Sequence, residues 1–219
     1  MNKIVLIFAK IIRLNEVNST QSYLKEYIQK NGYNNPLCVT SKIQTAGVGS
    51  RGNSWIGKEG NLFFSFVVSK DNLPKDLPLQ SASIYFTYIL KDILQKSGSK
   101  LFLKWPNDFY IKNRKIGGAI TSTNKELLFC GIGLNLIEVD DSFGKLDISI
   151  DIDEILNLYF IEIEKKIPWK QIFSLFKIEF MHSKNFQATV DGVKVSLENA
   201  ILNSDGSIQI ENKKVFSLR

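Results

Sequence analysis

Lys104-Trp105-Pro106-Asn107-Asp108, followed seven positions after Asp108 by Lys115-Ile116-Gly117-Gly118, is the stretch on which the reading of this chain turns. Pro106 lacks an N–H and cannot continue a central ladder, so the strand entering Lys104 must end in a corner there. Asn107 and Asp108 sit on that corner. Two strand-like segments, about 108–112 and 115–122, are joined by Asn113-Arg114 and return Lys115 to the same end. An amide, a carboxylate and an ammonium therefore converge. The plain alternative is a surface hairpin with a solvated lysine.

Two glycine-bearing stretches flank this corner. Downstream, Gly131-Ile132-Gly133-Leu134-Asn135 ends an apolar strand over 127–137. Glycines weaken a strand unless something approaches closely, so either packing or a ligand-facing surface explains them. Upstream, residues 44–60 read as a long loop with five glycines, Gly47, Gly49, Gly52, Gly57 and Gly60. Its Gly47-Val48-Gly49-Ser50-Arg51-Gly52 fits a G-x-G-x-x-G pattern, but a dinucleotide fold would need a helix directly after it. Asn53-Ser54-Trp55 and more loop follow instead. The loop is either a spacer without duty or a mobile flap that folds over a ligand.

The remaining sequence supplies a scaffold. Asn18, Ser19 and Thr20 cap a helix carrying Tyr23, Leu24, Tyr27 and Ile28, which Gly32 stops. Strands are expected at 37–43, at Leu62–Val68, whose continuous apolar run suits burial on both faces, and at 100–104. Helices are expected near 80–96, ended by Gly98, near 152–166, capped by Asp151 and Asp153, and over 169–182, opened by Pro168. From Asn185 onward, Asp191-Gly192 and Asp205-Gly206 mark hairpins of a small all-β module.

Composition narrows the class. With 219 residues, 44% hydrophobic and 23% charged, the chain can bury one sizeable core, or one core with a small appendage. Lys plus Arg is 28 against 22 Asp plus Glu, a net charge of +6. Nucleic-acid binding would gather that excess into a stripe. Here it is spread, with short clusters such as Lys112, Arg114 and Lys115, and steering of an anionic substrate or acidic partner explains it equally. Cys38 and Cys130, in apolar runs, read as buried free thiols of a reducing compartment. The run Ile4–Ala9 is too short for a signal peptide, since Lys10 and Arg13 follow at once, and reads as a first β-strand. No stretch reaches membrane-spanning length, so the cytoplasm is expected. His182, the sole histidine, reads as structural or surface, and with two distant cysteines it makes no metal cage.

The order of the three elements, glycine loop, Lys104–Asp108 with Lys115–Gly118, then Gly131–Asn135, resembles the biotin protein ligase family. Asn18-Ser19-Thr20-Gln21 is similar to that family's short Ser-Thr motif. The likeness spans roughly residues 15–137, and the tail resembles the family's SH3-like C-terminal domain. The resemblance implies an α+β fold, a mixed β-sheet packed with helices of class II synthetase type over 1–183, plus an SH3-like β domain over 184–219. It implies an enzyme that joins biotin and MgATP into biotinyl-5′-AMP, then transfers biotin to a lysine of a biotin carboxyl carrier protein of acetyl-CoA carboxylase type. Mg²⁺ would come with ATP, and no tightly bound prosthetic group is expected. The larger family form carries a DNA-binding helix-turn-helix. This chain starts almost directly at the catalytic domain, so a monofunctional ligase without a DNA partner is implied, with monomer and homodimer both open.

The resemblance also carries roles onto positions. Ser19, Thr20 and Gln44 match residues that hold biotin's ureido ring, with Gln21, Gly118, Gly131 and Gly133 expected beside them. Gly47, Gly49 and the rest of the 47–53 segment match the cover over the biotin carboxylate and the adenylate. Lys115 matches the lysine contacting carboxylate and phosphate, and Arg51 is the second expected catalytic cation. Asn53, Trp55, Asn107, Asp108, Asn135 and Arg219 match positions around the nucleotide, with Asp108 expected to place Mg²⁺. The chain departs from the family loop G-R-G-R-x-G-R, whose arginine positions hold Val48, Ser50 and Asn53 here. The stretch after Trp55 is one residue shorter, and Ser122 stands where an acidic residue is common. The rival readings are a lipoate or octanoate ligase or transferase of the same fold, and a non-catalytic nucleic-acid binder.

Overall fold

The computed structural model describes residues 10–49 and 54–216. The chain runs β1 (Lys10–Val17), α1 (Thr20–Asn31), β2 (Leu37–Val48), β3 (Ser54–Gly57), β4 (Leu62–Ser69), α2 (Ala82–Lys96), β5 (Phe102–Lys104), β6 (Asp108–Ile111), β7 (Arg114–Asn124) and β8 (Leu127–Leu134). Then come α3 (Ile152–Glu164), α4 (Trp169–Ser183) and five short strands, β9 (Gln187–Val190), β10 (Val193–Ser196), β11 (Ile201–Leu202), β12 (Ile208–Ile210) and β13 (Lys213–Val215).

One sheet in the order β1-β2-β4-β8-β7-β6-β5 organises the molecule, with β3 added to β2. Only the β1–β2 pair is parallel, so the sheet is mixed. The expected α+β architecture is present. The run Leu62–Ser69 explains the layering: successive side chains of β4 point to opposite faces, and both faces are covered. Val67 joins Leu37, Val39 and Phe129 under α1 through Leu24. Phe64 and Phe66 face the other way, where Phe66 meets Phe86 edge-on at 4.9 Å and Phe64 meets Tyr159 at 5.3 Å. Each fully buried phenylalanine contributes about 1.5–3 kcal/mol through removal from water. The two cysteines are free and buried in this layer, and burial pushes both thiols up.

Two expectations change. The first strand assigned to Ile4–Ala9 lies outside the described residues; the parallel edge strand that is described is Lys10–Val17. Residues 44–60 are not one long loop, because β2 continues to Val48 and β3 pairs back on it, Gln44 opposite Gly57 and Gly47 opposite Trp55. The glycines make that pairing feasible: a Cβ on Gly47 would lie 2.5 Å from the Trp55 carbonyl oxygen, and one on Gly57 would strike the Gln44 backbone.

The tail forms a hairpin, β9–β10, and a three-stranded sheet, β11-β12-β13. Asp191 and Gly192 both take positive φ, 49° and 85°, as a two-residue hairpin turn of this hand requires. The tail's buried residues Ala188, Leu197, Ala200, Ile208 and Val215 belong to the same core cluster as α2 and α4. Two indoles tie it down: Trp105 Nε1 donates to the Gly206 carbonyl at 2.9 Å, and Trp169 Nε1 to the Ser204 carbonyl at 2.9 Å.

Candidate functional site

The corner predicted at Pro106 is built, and its hold on the rest of the fold is redundant. β5 is the edge strand of the sheet, so its outer N–H groups need partners. Helix α4 supplies them: Glu179 accepts from Leu103 N at 2.9 Å and Ser183 Oγ from Trp105 N at 2.8 Å. Glu179 is itself paired with Lys91 of α2 at 2.9 Å, both side chains buried. The Trp105–Pro106 peptide is cis. Beyond it the Asn107 amide donates to the Ala119 carbonyl, and Ala119 N returns a bond to Asn107 O at 3.1 Å.

Asp108 and Lys115 are brought together from adjacent strands. Lys115 Nζ lies 2.5 Å from Asp108 Oδ1, and Lys104 Nζ 3.6 Å from Oδ2. Side-chain exposures of 29% for Lys115 and 20% for Asp108 exclude the solvated surface hairpin. Two ammoniums against one carboxylate leave +2 − 1 = +1 at this wall, an environment suited to an anion.

The opposite wall is the start of α1. Ser19 caps the helix, its Oγ accepting from Ser22 N at 3.4 Å. Thr20 donates both N–H and Oγ1–H to Gln44 Oε1, at 2.8 and 3.0 Å, and its hydroxyl lies 2.9 Å from Ser65 Oγ. Thr20 and Ser65 of this polar cluster are 3% and 1% exposed, while Gln44 is partly exposed. The cluster can orient a compact polar ring.

The floor is β8, a strand paired on both sides. A Cβ on Gly133 would sit 2.8 Å from Trp55 Nε1, and one on Gly131 would sit 3.1 Å from Ser65 Oγ. Trp55 therefore lies flat against the strand where a side chain would otherwise stand. Its Nε1–H is buried without an acceptor among the described residues, and its ring meets Phe143 edge-on at 5.9 Å.

A cleft joins these walls. Ser19, Thr20, Gln21, Gln44, Gly49, Trp55, Asp108, Lys115, Gly118, Gly131 and Gly133 line it. A wider groove continues past Lys104, Asn107 and Asp108 to Asn185–Thr189 and Lys194 of the tail. Gly47 borders the cleft through its pairing with Trp55. Asn107 lines only the groove, its amide already committed to the chain. Asn135 does not line the cleft: it is 2% exposed and its amide donates to the Gly144 carbonyl at 3.1 Å. Arg51, Asn53 and Arg219 lie outside the described residues. His182 packs on Phe102 with centroids 4.8 Å apart, remote from the cleft lining.

The sequence reading missed Ser65, Lys104 and Phe143. Ser65 had a signal, being the one polar residue inside the apolar run Leu62–Val68. Lys104 has its signal in the same motif as Asp108, four positions before it. Phe143 had none, because it sits in an irregular segment.

Asp108 was also expected to place Mg²⁺. Its carboxylate is occupied by two ammoniums, and among the described residues no three His, Cys, Asp or Glu gather into a metal cage. These residues do not fit a protein-held ion, and Mg²⁺ belongs with the MgATP substrate. No helix among the described residues is long and apolar enough to cross a membrane.

Comparison with known proteins assigns the family and the fold. A family model described as the Biotin/lipoate A/B protein ligase family matches residues 14–135. Among solved structures, the biotin acetyl coenzyme A carboxylase synthetase of Helicobacter pylori, with biotinylated ATP bound, superimposes with a TM-score of 0.90 at 36% identity, covering 94% of this chain and 99% of that one. Biotin–protein ligase 2 of Arabidopsis thaliana is 37% identical over 108 residues, 46% of this chain and 32% of its own. The bifunctional ligase/repressor BirA of Bacillus spizizenii is 28% identical over 132 residues, 58% of this chain and 40% of its own. The chain thus spans less than half the length of these two relatives.

Proposed function

The chain belongs to the biotin/lipoate A/B protein ligase family, and from that membership we propose that it is a biotin protein ligase working in the cleft between Thr20 and Lys115. The carrying observation is the Lys115–Asp108–Lys104 cluster, whose Lys115 and Asp108 line one cleft with a hydroxyl–amide cluster of buried Thr20 and Ser65 and partly exposed Gln44. One end suits an anion, the other a neutral polar ring such as the ureido group of biotin.

In the first step a biotin carboxylate oxygen attacks the α-phosphorus of MgATP, the bond to the bridging oxygen breaks, and pyrophosphate leaves. Each like-charge pair at about 4 Å costs on the order of 4 kcal/mol at a near-surface effective dielectric. Lys115 offsets that repulsion, and Asp108 holds its ammonium in place. The substrate supplies its own nucleophile, so the protein's part is positioning and charge stabilisation. Trp55, whose N–H at the cleft edge has no acceptor among the described residues, is assigned to the nucleotide side. In the second step the amine of an acceptor lysine attacks the acyl carbonyl and AMP leaves. Excluding water from that mixed anhydride falls to the ribbon of β2 and β3. The acceptor is proposed to be a biotin carboxyl carrier protein reaching Lys115 along the groove beside Lys104. The tail, 184–219, is proposed as an SH3-like unit that borders that groove.

Labelled biotin, MgATP and a carrier domain are to be incubated with the protein; stable label on one carrier lysine is expected. Thermal stabilisation by lipoate with ATP, but not by biotin with ATP, would overturn the choice of acid.

A further inference from the structure

Resting on the reading of Trp55 as the nucleotide side of the cleft, we infer that Arg114 is a positioning residue that fastens residues 136–145 so that Phe143 braces Trp55. Arg114 directly precedes Lys115 on β7, and neighbouring residues of a strand point to opposite faces. Lys115 turns to Asp108. The Arg114 guanidinium turns to the irregular segment after β8, where it donates to the carbonyls of Asp140 at 3.3 Å, Asp141 at 3.0 Å and Phe143. Three carbonyl oxygens within four consecutive residues repel one another unless a cationic donor sits among them.

A second set of bonds presses the same segment onto the start of β7. Gly144 N donates to the Lys115 carbonyl at 2.8 Å, and Asn135 binds Gly144 through its amide. Leu146 N donates to the Asn135 carbonyl at 2.8 Å. Gly144 is required here, since a Cβ would lie 3.0 Å from both Arg114 Cβ and Ile116 Cγ2. At its entrance Asn61 Oδ1 accepts from Leu136 N at 2.8 Å and Ile137 N at 3.0 Å. The segment carries Glu138, Asp140 and Asp141, an acidic run beside a site for a polyanion. Arg114 offsets that charge, with Glu138 Oε1 at 4.0 Å from its second amino group.

The mechanical consequence runs outward. With the Phe143 carbonyl held, the Phe143 ring stands edge-on to Trp55 and keeps the indole against Gly133. The three carbonyls gather around one nitrogen, Nη2, while Nη1 lies 4.0 Å from Glu138 Oε1, so the planar fork serves the carbonyls and the carboxylate together, whereas a lysine ammonium is a single point donor.

The test uses the full chain as Arg114→Ala, Arg114→Lys and Phe143→Ala. In biotin-dependent ATP–pyrophosphate exchange, Arg114→Ala should raise KM for ATP about tenfold or more. Its kcat and its dissociation constant for biotin alone should stay within about twofold of the parent, and Arg114→Lys should fail to rescue the KM. Phe143→Ala should copy the KM effect without disturbing the guanidinium bonds. Amide hydrogen exchange read on the protein alone should rise at least about tenfold over 136–146 in Arg114→Ala, with β8 unchanged. An unaltered KM for ATP, a parallel loss of biotin affinity, or unchanged exchange in that segment would overturn the assignment. If the parent chain gives no biotin-dependent exchange of pyrophosphate, the ligase reading falls, and amide exchange still decides whether Arg114 fastens the segment.

Discussion

The corner at Lys104–Gly118 and the ribbon at Gln44–Gly57 face one cleft but are made differently. The corner is a three-strand structure whose free edge is tied to α4 through Glu179 and Ser183 and to the tail through Trp105. Little in it can shift alone. The ribbon rests on a single strand partner, since β3 pairs only with β2, and the pairing slips register between Gln44 and Gly47. Charge is placed on the rigid side, and cover is assigned to the side with fewer attachments. A ligase needs both, since electrostatic stabilisation depends on groups that do not reorganise, whereas a cover must admit its substrate.

The sharpest break of this comparison is Lys115→Ala. Asp108 keeps Lys104 at 3.6 Å, so the fold should stand while pyrophosphate release falls on the order of 10³-fold; unchanged release would remove Lys115 from the mechanism. Next comes Thr20→Val, which keeps the shape but removes the hydroxyl between Gln44 and Ser65. Biotin affinity measured by calorimetry should drop about tenfold. A third variant pair weighs the two regions directly. Gly117→Ala drives a Cβ into the Gly133 carbonyl of a central strand and should cost about 1–3 kcal/mol in denaturant unfolding. Gly47→Ala meets a contact at 2.5 Å, but β3 is a short strand paired to β2 at three positions, and its cost should be smaller. Equal losses would mean that the ribbon is as constrained as the corner.

The smallest effect concerns acid. Burial raises the Asp147 carboxyl, but the Ser99 hydroxyl and the Lys100 N–H outweigh it and hold its pKa below 3.8. A depressed folded value means that its contribution is present above 3.8 and is lost as pH falls toward the folded pKa. Asp147→Asn should flatten the fall of Tm in that acid window slightly, while leaving Tm at pH 7 lower than the parent's.

Much of the corner was legible because each residue had a local physical duty. Pro106 stops a ladder, and Leu62–Val68 announces a strand covered on two sides; the turn expected at Asn113-Arg114 falls one residue earlier, at Lys112-Asn113, with Lys112 at φ 52° and Arg114 already in β7. The Ser19 cap and the Gly32 stop of α1 were equally local. The failures are all nonlocal. Strand β1 was not seen because Lys10, Arg13 and Glu16 break its apolar pattern, and only pairing with β2 makes it a strand. The ribbon was read as loop because glycine content signals turns, whereas Gly47 and Gly57 serve close approach between strands. Asn135, expected at the nucleotide, spends its amide on Gly144, a partner nine positions away that no spacing rule names.

The three tryptophans of this chain differ in a way that gives an optical readout. The indole N–H groups of Trp105 and Trp169 are bonded to carbonyls at 2.9 Å, and both rings are buried, so their emission should be indifferent to small molecules entering the cleft. Trp55 lines the cleft, its N–H without an acceptor among the described residues, whereas Trp105 borders only the wider groove. A shift in intrinsic fluorescence on mixing therefore carries the signal of one indole over a constant background, and the order in which vitamin and nucleotide arrive can be timed by stopped flow without attaching a dye.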